Sequence, residues 1–115
     1  MNAAQLAAVV SRYRYLTNNE GHLQDGLARA LDLEGIPYAR EAVIAAGCRI
    51  DFLVARVGVE VKVNGSTTEV ERQLRRYLAS PLVDELVLVT TRARHAHDFA
   101  AAALPVVVVS VGSPW

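Results

Sequence analysis

Apolar residues recur at helical spacing early in this chain and alternate with polar ones in its middle. Leu6, Val9, Val10 and Tyr13 form one stripe and predict a helix over residues 3–16. Thr17-Asn18-Asn19-Glu20 has the capping-box form, with Thr at the cap and Glu three positions on. It predicts a second helix running to about Glu34 and stopping at Gly35. Leu16, Glu20, Leu23, Leu27 and Leu31 follow at steps of three and four, so Glu20 lies at the end of that helix's apolar stripe. Ala42–Ala46, Arg49–Ala55 and Val59–Val63 read as short strands, with Gly47 and Gly58 marking the turns. Strands this closely spaced form an antiparallel meander.

Ser66-Thr67-Thr68-Glu69 is a second capping box, opening a helix to about Ala79 with Val70, Leu74, Tyr77 and Leu78 on its buried face. The continuous apolar run Glu85–Thr91 predicts a strand buried on both faces. A short helix over His95–Ala103 and a Val-rich strand over Pro105–Gly112 follow. The order ααβββαβαβ implies an α/β fold: a mixed sheet, antiparallel first and extended by parallel βαβ additions, with helices on both sides. At 115 residues it forms one domain, 1–115.

Composition narrows the class. A hydrophobic content of 52% with 21% charged residues excludes a disordered chain. The longest apolar run, Phe99–Val109, is interrupted by Pro105 and too short to span a bilayer, and the N-terminal stretch lacks the basic flank and apolar core of a signal peptide. The expectation is a cytoplasmic protein without a membrane partner. Cys48 is the single cysteine, which excludes a disulfide framework and a cysteine-based zinc site. Twelve acidic residues balance twelve basic ones, so the strongly basic footprint of a tight nucleic-acid binder is missing. A local arginine patch still acts within a Debye length of roughly 8 Å.

Candidate chemistry centres on the only lysine. Of twelve Lys and Arg residues one is lysine, leaving eleven arginines, and that one is Lys62 in Val59-Glu60-Val61-Lys62. Lysine is a compact point charge suited to a site beside a metal or a scissile phosphate. With Asp51 the signature reads Asp-x8-Glu-x-Lys, an acidic-acidic-basic triad. Codon bias and an exposed strand lysine would produce the same letters. Strand parity decides whether the three converge, because side chains alternate across a strand. A two-residue turn at Arg56-Val57 sets Asp51 opposite Lys62 and diagonal to Glu60, roughly 5 and 7 Å away. Ile50, Phe52, Val54, Val59, Val61 and Val63 then share the other face.

These residues resemble the PD-(D/E)XK nuclease superfamily, which has the restriction-endonuclease-like fold. The resemblance covers about Glu20 to Thr91: a helix carrying Glu20, then Cys48–Val54, Val59–Val63, and a helix containing Glu71–Tyr77. Ile50 stands where the family name has Pro, and the short Asp-to-Glu spacing implies a tight hairpin. The resemblance implies that Asp51 and Glu60, with the Val61 carbonyl, hold Mg²⁺ or Mn²⁺, that Glu20 completes the metal shell, and that Lys62 orients or helps deprotonate the attacking water. Hard oxygen ligands suit Mg²⁺, which polarises a phosphoryl oxygen and activates a bound water. Gln73 occupies a position where family members often place a Gln near the site. It is equally a half-exposed helix residue bonding Glu69.

Arg72, Arg75, Arg76, Arg92 and Arg94 are candidate phosphate contacts, although Glu71 and Arg75 also form an i, i+4 pair of the kind found on solvated helix faces. His95 and His97 beside Asp98 read as a cap region sooner than a zinc site, and His22 as a surface residue. Tyr13 and Tyr15, among Arg12 and Arg14, have the interleaving that stacks bases, but Tyr13 also fits the first helix's apolar stripe. The expected function is a small, resolvase-like, divalent-metal-dependent endonuclease that hydrolyses DNA and acts as a homodimer, with selectivity for branched substrates as the narrower expectation. The rival expectations are a catalytically silent relative that binds nucleic acid or a partner protein, and an α/β scaffold whose triad is accidental.

Overall fold

The computed structural model describes residues 1–101 and 104–112. Along the chain run α1 (Ala3–Val10), α2 (Glu20–Leu33), β1 (Ala39–Ala45), β2 (Cys48–Val54), β3 (Val57–Lys62), α3 (Thr67–Leu78), β4 (Glu85–Thr90), α4 (Arg94–Ala101) and β5 (Val106–Ser110). The five strands form one mixed sheet in sequential order. β1, β2 and β3 pair antiparallel as a meander, and β3, β4 and β5 pair parallel, with α3 and α4 as the crossovers. The predicted end of α4 at Ala102 and Ala103 lies outside the described residues.

Two cores sandwich the sheet. On one side Leu6 and Val10 of α1 and Leu23, Leu27 and Leu31 of α2 pack on Phe52, Val59, Val61, Val87 and Val89. On the other, Val70, Leu74 and Tyr77 of α3 and Phe99 of α4 pack on Ile50, Leu86 and Leu88. β4 contributes to both cores, as a continuous apolar strand must when helices cover both faces.

Three differences from the sequence reading bear on the site, two set by tertiary contacts and one by a competing local cap. α1 stops at Val10, with Ser11 as its C-cap, instead of reaching residue 16. The hydroxyl of Tyr15 donates to the Val10 carbonyl at 2.7 Å, and its ring packs on Gly26 of α2, where a Cβ would come within 3.0 Å. The chain therefore folds back at the point where the periodicity would have continued the helix. α2 is capped by Asn19, whose side chain accepts from the His22 amide at 2.8 Å, so the predicted Thr17 box does not form. Leu16 drops off the stripe and is 68% exposed.

Third, the β2–β3 turn residues are Ala55 and Arg56, and Val57 is already in the ladder opposite Val54. Val57 is a buried, β-branched residue of the first core, and Ala55 accepts a φ of +51° to let it pair. The register is thereby shifted by two positions from the expected one. Gly58 is a strand residue of β3, not a turn. A Cβ there would lie 2.4 Å from Ile50 Cδ1 and 2.9 Å from Leu86 Cδ2. Gly58→Ala is therefore expected to cost about 1–3 kcal/mol by overpacking, measurable as a lower denaturant midpoint at unchanged m-value.

Candidate active site

The antiparallel ladder of β2 and β3 extends from the turn to Phe52↔Val59 and then opens. From Asp51 backwards β2 stays with β1, through Ile50 and Arg49, while β3 continues with β4. The sheet thus has a fork whose two prongs start at Asp51 and Glu60. Opening a ladder orphans backbone donors, which must find other partners. Asp51 Oδ2 accepts from the Val61 amide at 2.8 Å, and Glu20 Oε1 accepts from the Val63 amide at 3.3 Å. Two acidic side chains therefore stand where β2 carbonyls would have been.

The strand changes face at the same place. Ile50 packs in the α3 core and Phe52 in the α1–α2 core, so the expected shared face for Ile50, Phe52 and Val54 is not formed. On the neighbouring strand Glu41, with φ of +51°, lies between the pairs Arg40↔Phe52 and Ala42↔Ile50, opposite Asp51. Asp51 falls across from Glu60, with Lys62 diagonal, which reverses the expected opposite and diagonal positions.

Glu60 is 3% exposed, lies between the buried Val59 and Val61, and is beside Leu88 on β4. Its Oε1 is 3.4 Å from the Asp51 amide, and Lys62 Nζ is 3.6 Å from Oε2. Tyr77 donates its hydroxyl to Oε2 at 2.8 Å, and Gln73 Nε2 donates to the Tyr77 oxygen at 2.6 Å. Gln73 thus bonds Tyr77 one turn later and not Glu69. Ser66 caps α3 by accepting from the Glu69 amide. Tyr77 was legible from sequence only as a core position. Its part in the site depends on α3 crossing over the carboxylates, a relationship invisible to helical periodicity.

Burial, and then the neighbouring Asp51 charge, push the Glu60 carboxyl up to about 8, against the opposing pull of Tyr77 and Lys62. Burial likewise raises Asp51, opposed by the Val61 amide, Glu60 and Lys62. The Tyr77 phenol is raised by burial and by Glu60, so it remains a donor. The two carboxyls form a coupled pair that retains a proton well above the ordinary carboxylate range.

Such a pair fits a hard divalent cation. Mg²⁺ is held through one or two carboxylates plus waters and substrate phosphates, so Asp51 and Glu60 form an adequate donor set. Among the described residues no group of three or more His, Cys, Asp and Glu side chains gathers into a metal cage. Glu20 borders the fork, where its Oε1 accepts from the Val63 amide.

The remaining candidates are dispersed. Arg72, Arg75 and Arg76 are exposed on α3, with Arg75 bonded to Glu71 at 3.2 Å and Arg76 to the Gly47 carbonyl at 3.4 Å. Arg92 and Arg94 follow β4 at the same end of the sheet as Lys62, which pairs with Thr90. Arg94 is exposed, whereas Arg92 Nε is buried. His95 is fully buried, 3.0 Å from Thr90 Oγ1 through Nδ1, and burial lowers its pKa. Asp98 accepts from Thr67 at 2.7 Å, separately from His95, and the side chain of His97 lies outside the described residues. Tyr13 is half-exposed, not core, and bonds Glu34.

Comparison with known proteins finds no family model, curated protein or solved structure that matches this chain.

Proposed function

We propose that the protein is a divalent-metal-dependent endonuclease of the restriction-endonuclease-like superfamily, hydrolysing phosphodiester bonds in DNA. The observation that carries this reading is the fork, where Asp51 and Glu60 face one another with the Lys62 ammonium 3.6 Å from Glu60. Asp51 and Glu60, with the Val61 carbonyl, would hold Mg²⁺ or Mn²⁺, which when bound supplies Lewis acidity toward a phosphoryl oxygen and lowers the pKa of water.

The protein's own groups supply the rest. Lys62 places a point charge where negative charge develops on the transferring phosphoryl group and orients the attacking water. Tyr77, itself held by Gln73, fixes the Glu60 carboxylate by a hydrogen bond to Oε2. Phosphate contacts would fall to the exposed arginines, Arg72, Arg75 and Arg76 on α3 and Arg94 after β4. One site cuts one strand, so cleavage of both strands calls for two copies, and a homodimer acting on branched DNA suits a chain of this size.

The test is an assay of supercoiled, linear, single-stranded and branched DNA with Mg²⁺, Mn²⁺ or EDTA. Metal-dependent cleavage of any of these, abolished by EDTA, is the expected result. No cleavage under any condition would overturn the reading. A second reading, a silent relative that binds nucleic acid or a protein, is favoured by the formal net charge of zero. It gives binding without cleavage.

Glu20→Gln separates a metal-site role from a purely structural one. Gln retains an acceptor for the Val63 amide but loses the charge. The expected outcome is lower cleavage at a raised Mg²⁺ requirement, with metal-free thermal stability no lower than wild type. Unchanged cleavage would remove Glu20 from the site.

A further inference from the structure

The segment joining α1 to α2 builds a groove on the opposite side of the sheet from the α3 arginines. A cleft of 330 Å³ lies between Tyr13–Leu16 and the face of α2 that carries His22 and Arg29. This volume is at the lower end of the roughly 300–1,000 Å³ typical of small-ligand clefts. The tyrosine rings are anchored at their far ends, Tyr13 by Glu34 and Tyr15 by the Val10 carbonyl at 2.7 Å. Anchored rings offer apolar area without the entropy cost of ordering them on binding. Leu16 and Leu33, 68% and 69% exposed, extend the apolar surface.

Of the acidic and arginine side chains that line the cleft, only the arginines lack an ion pair among the described residues. Asp25, which also lines the cleft, is bonded to Arg40 at 2.6 Å, and Glu34 is bonded to Arg12 at 3.0 Å. Arg14 and Arg29 are exposed and make no ion pair among the described residues. Apolar rings interleaved with uncompensated arginines are the combination that holds stacked bases and tracks a phosphate backbone. The groove and the fork share the first turn of α2: His22 lines the groove, and Glu20, two residues earlier, bonds the Val63 amide.

We propose that this groove binds a single-stranded DNA segment adjoining the cleavage site, so that the preferred substrate carries an unpaired strand. The proposal takes its ligand class from the nuclease reading. It gives the two sides of the sheet different tasks, with duplex on the α3 arginines and single strand on the α1–α2 segment.

The test is fluorescence anisotropy in EDTA, with a labelled oligo-dT strand and a blunt duplex as probes, comparing wild type with the R14A/R29A double variant. Both side chains are exposed, so the variant folds. Its affinity for oligo-dT is expected to fall about tenfold or more, with the slope of log K against log salt flattened by about 1.4 for two lost phosphate contacts. Affinity for the blunt duplex stays unchanged. With Mg²⁺ or Mn²⁺, wild type should cut a tailed duplex faster than a blunt one, and the variant should lose that preference. Equal oligo-dT affinity and salt slope in variant and wild type would overturn the proposal, even if both cleave DNA and the nuclease reading stands. Conversely, a wild type that cuts nothing, while the variant shows the loss of oligo-dT binding, supports the groove and removes the nuclease reading.

Discussion

Lys62→Ala is expected to lower cleavage by at least a hundredfold, the usual effect of removing one group that stabilises developing charge. The fold should persist, because Lys62 is the last residue of β3 and its side chain is 21% exposed. The backbone bond from the Thr91 amide to the Lys62 carbonyl does not depend on the side chain. One secondary effect has a known sign. Lys62 lowers the Glu60 pKa, so its removal leaves that carboxyl protonated to higher pH and weakens competition for a cation near neutrality. Metal binding by the variant should therefore be compared above pH 8 as well as at 7. Lys62→Arg should fail nearly as badly, because a planar fork does not replace a point charge beside the buried Glu60. Wild-type turnover in Lys62→Arg would show the lone lysine to be an accident of codon usage.

Without metal, the protein should lose stability as pH rises through the range that ionises Glu60. The carboxyl has an ordinary value of 4.5 and stands at about 8 in the fold. Between these values the native state binds the proton that the unfolded chain has released, so unfolding free energy falls with rising pH. The stabilisation is complete below about 4.5 and gone above about 8. Asp51, also raised, acts in the same direction. Because Glu60 is almost wholly buried, the loss should be on the order of a few kcal/mol, or about 10 °C in melting temperature. Mg²⁺ or Mn²⁺ should restore stability most at the alkaline end, where both carboxylates are available to it. Glu60→Gln should flatten the pH profile and abolish the metal effect. A metal-free melting temperature that is level from pH 5 to 8.5 would show that the pair carries no such burden.

Local patterns determined a good deal of this molecule. The 3.6-residue stripe of Leu23, Leu27 and Leu31 places α2 on the sheet, and Leu86–Val89 could be satisfied only by a strand covered on both sides. Alternation along β3 put Glu60 and Lys62 on one face and the buried Val59 and Val61 on the other. What remained open was decided by contacts between residues far apart in sequence. Val57 pairs with Val54 because burying a β-branched side chain outweighs the left-handed conformation it imposes on Ala55, and no glycine or asparagine marks that turn. Ile50 packs on the α3 side, where Gly58 leaves space for it, while Phe52 packs on the other. Tyr77 reaches Glu60 only because α3 packs over β3. Sequence periodicity reports which face of an element is apolar. Which polar group meets which is set by packing, since the burial of Glu60 and its bond to Tyr77 exist only once sheet and helix have come together.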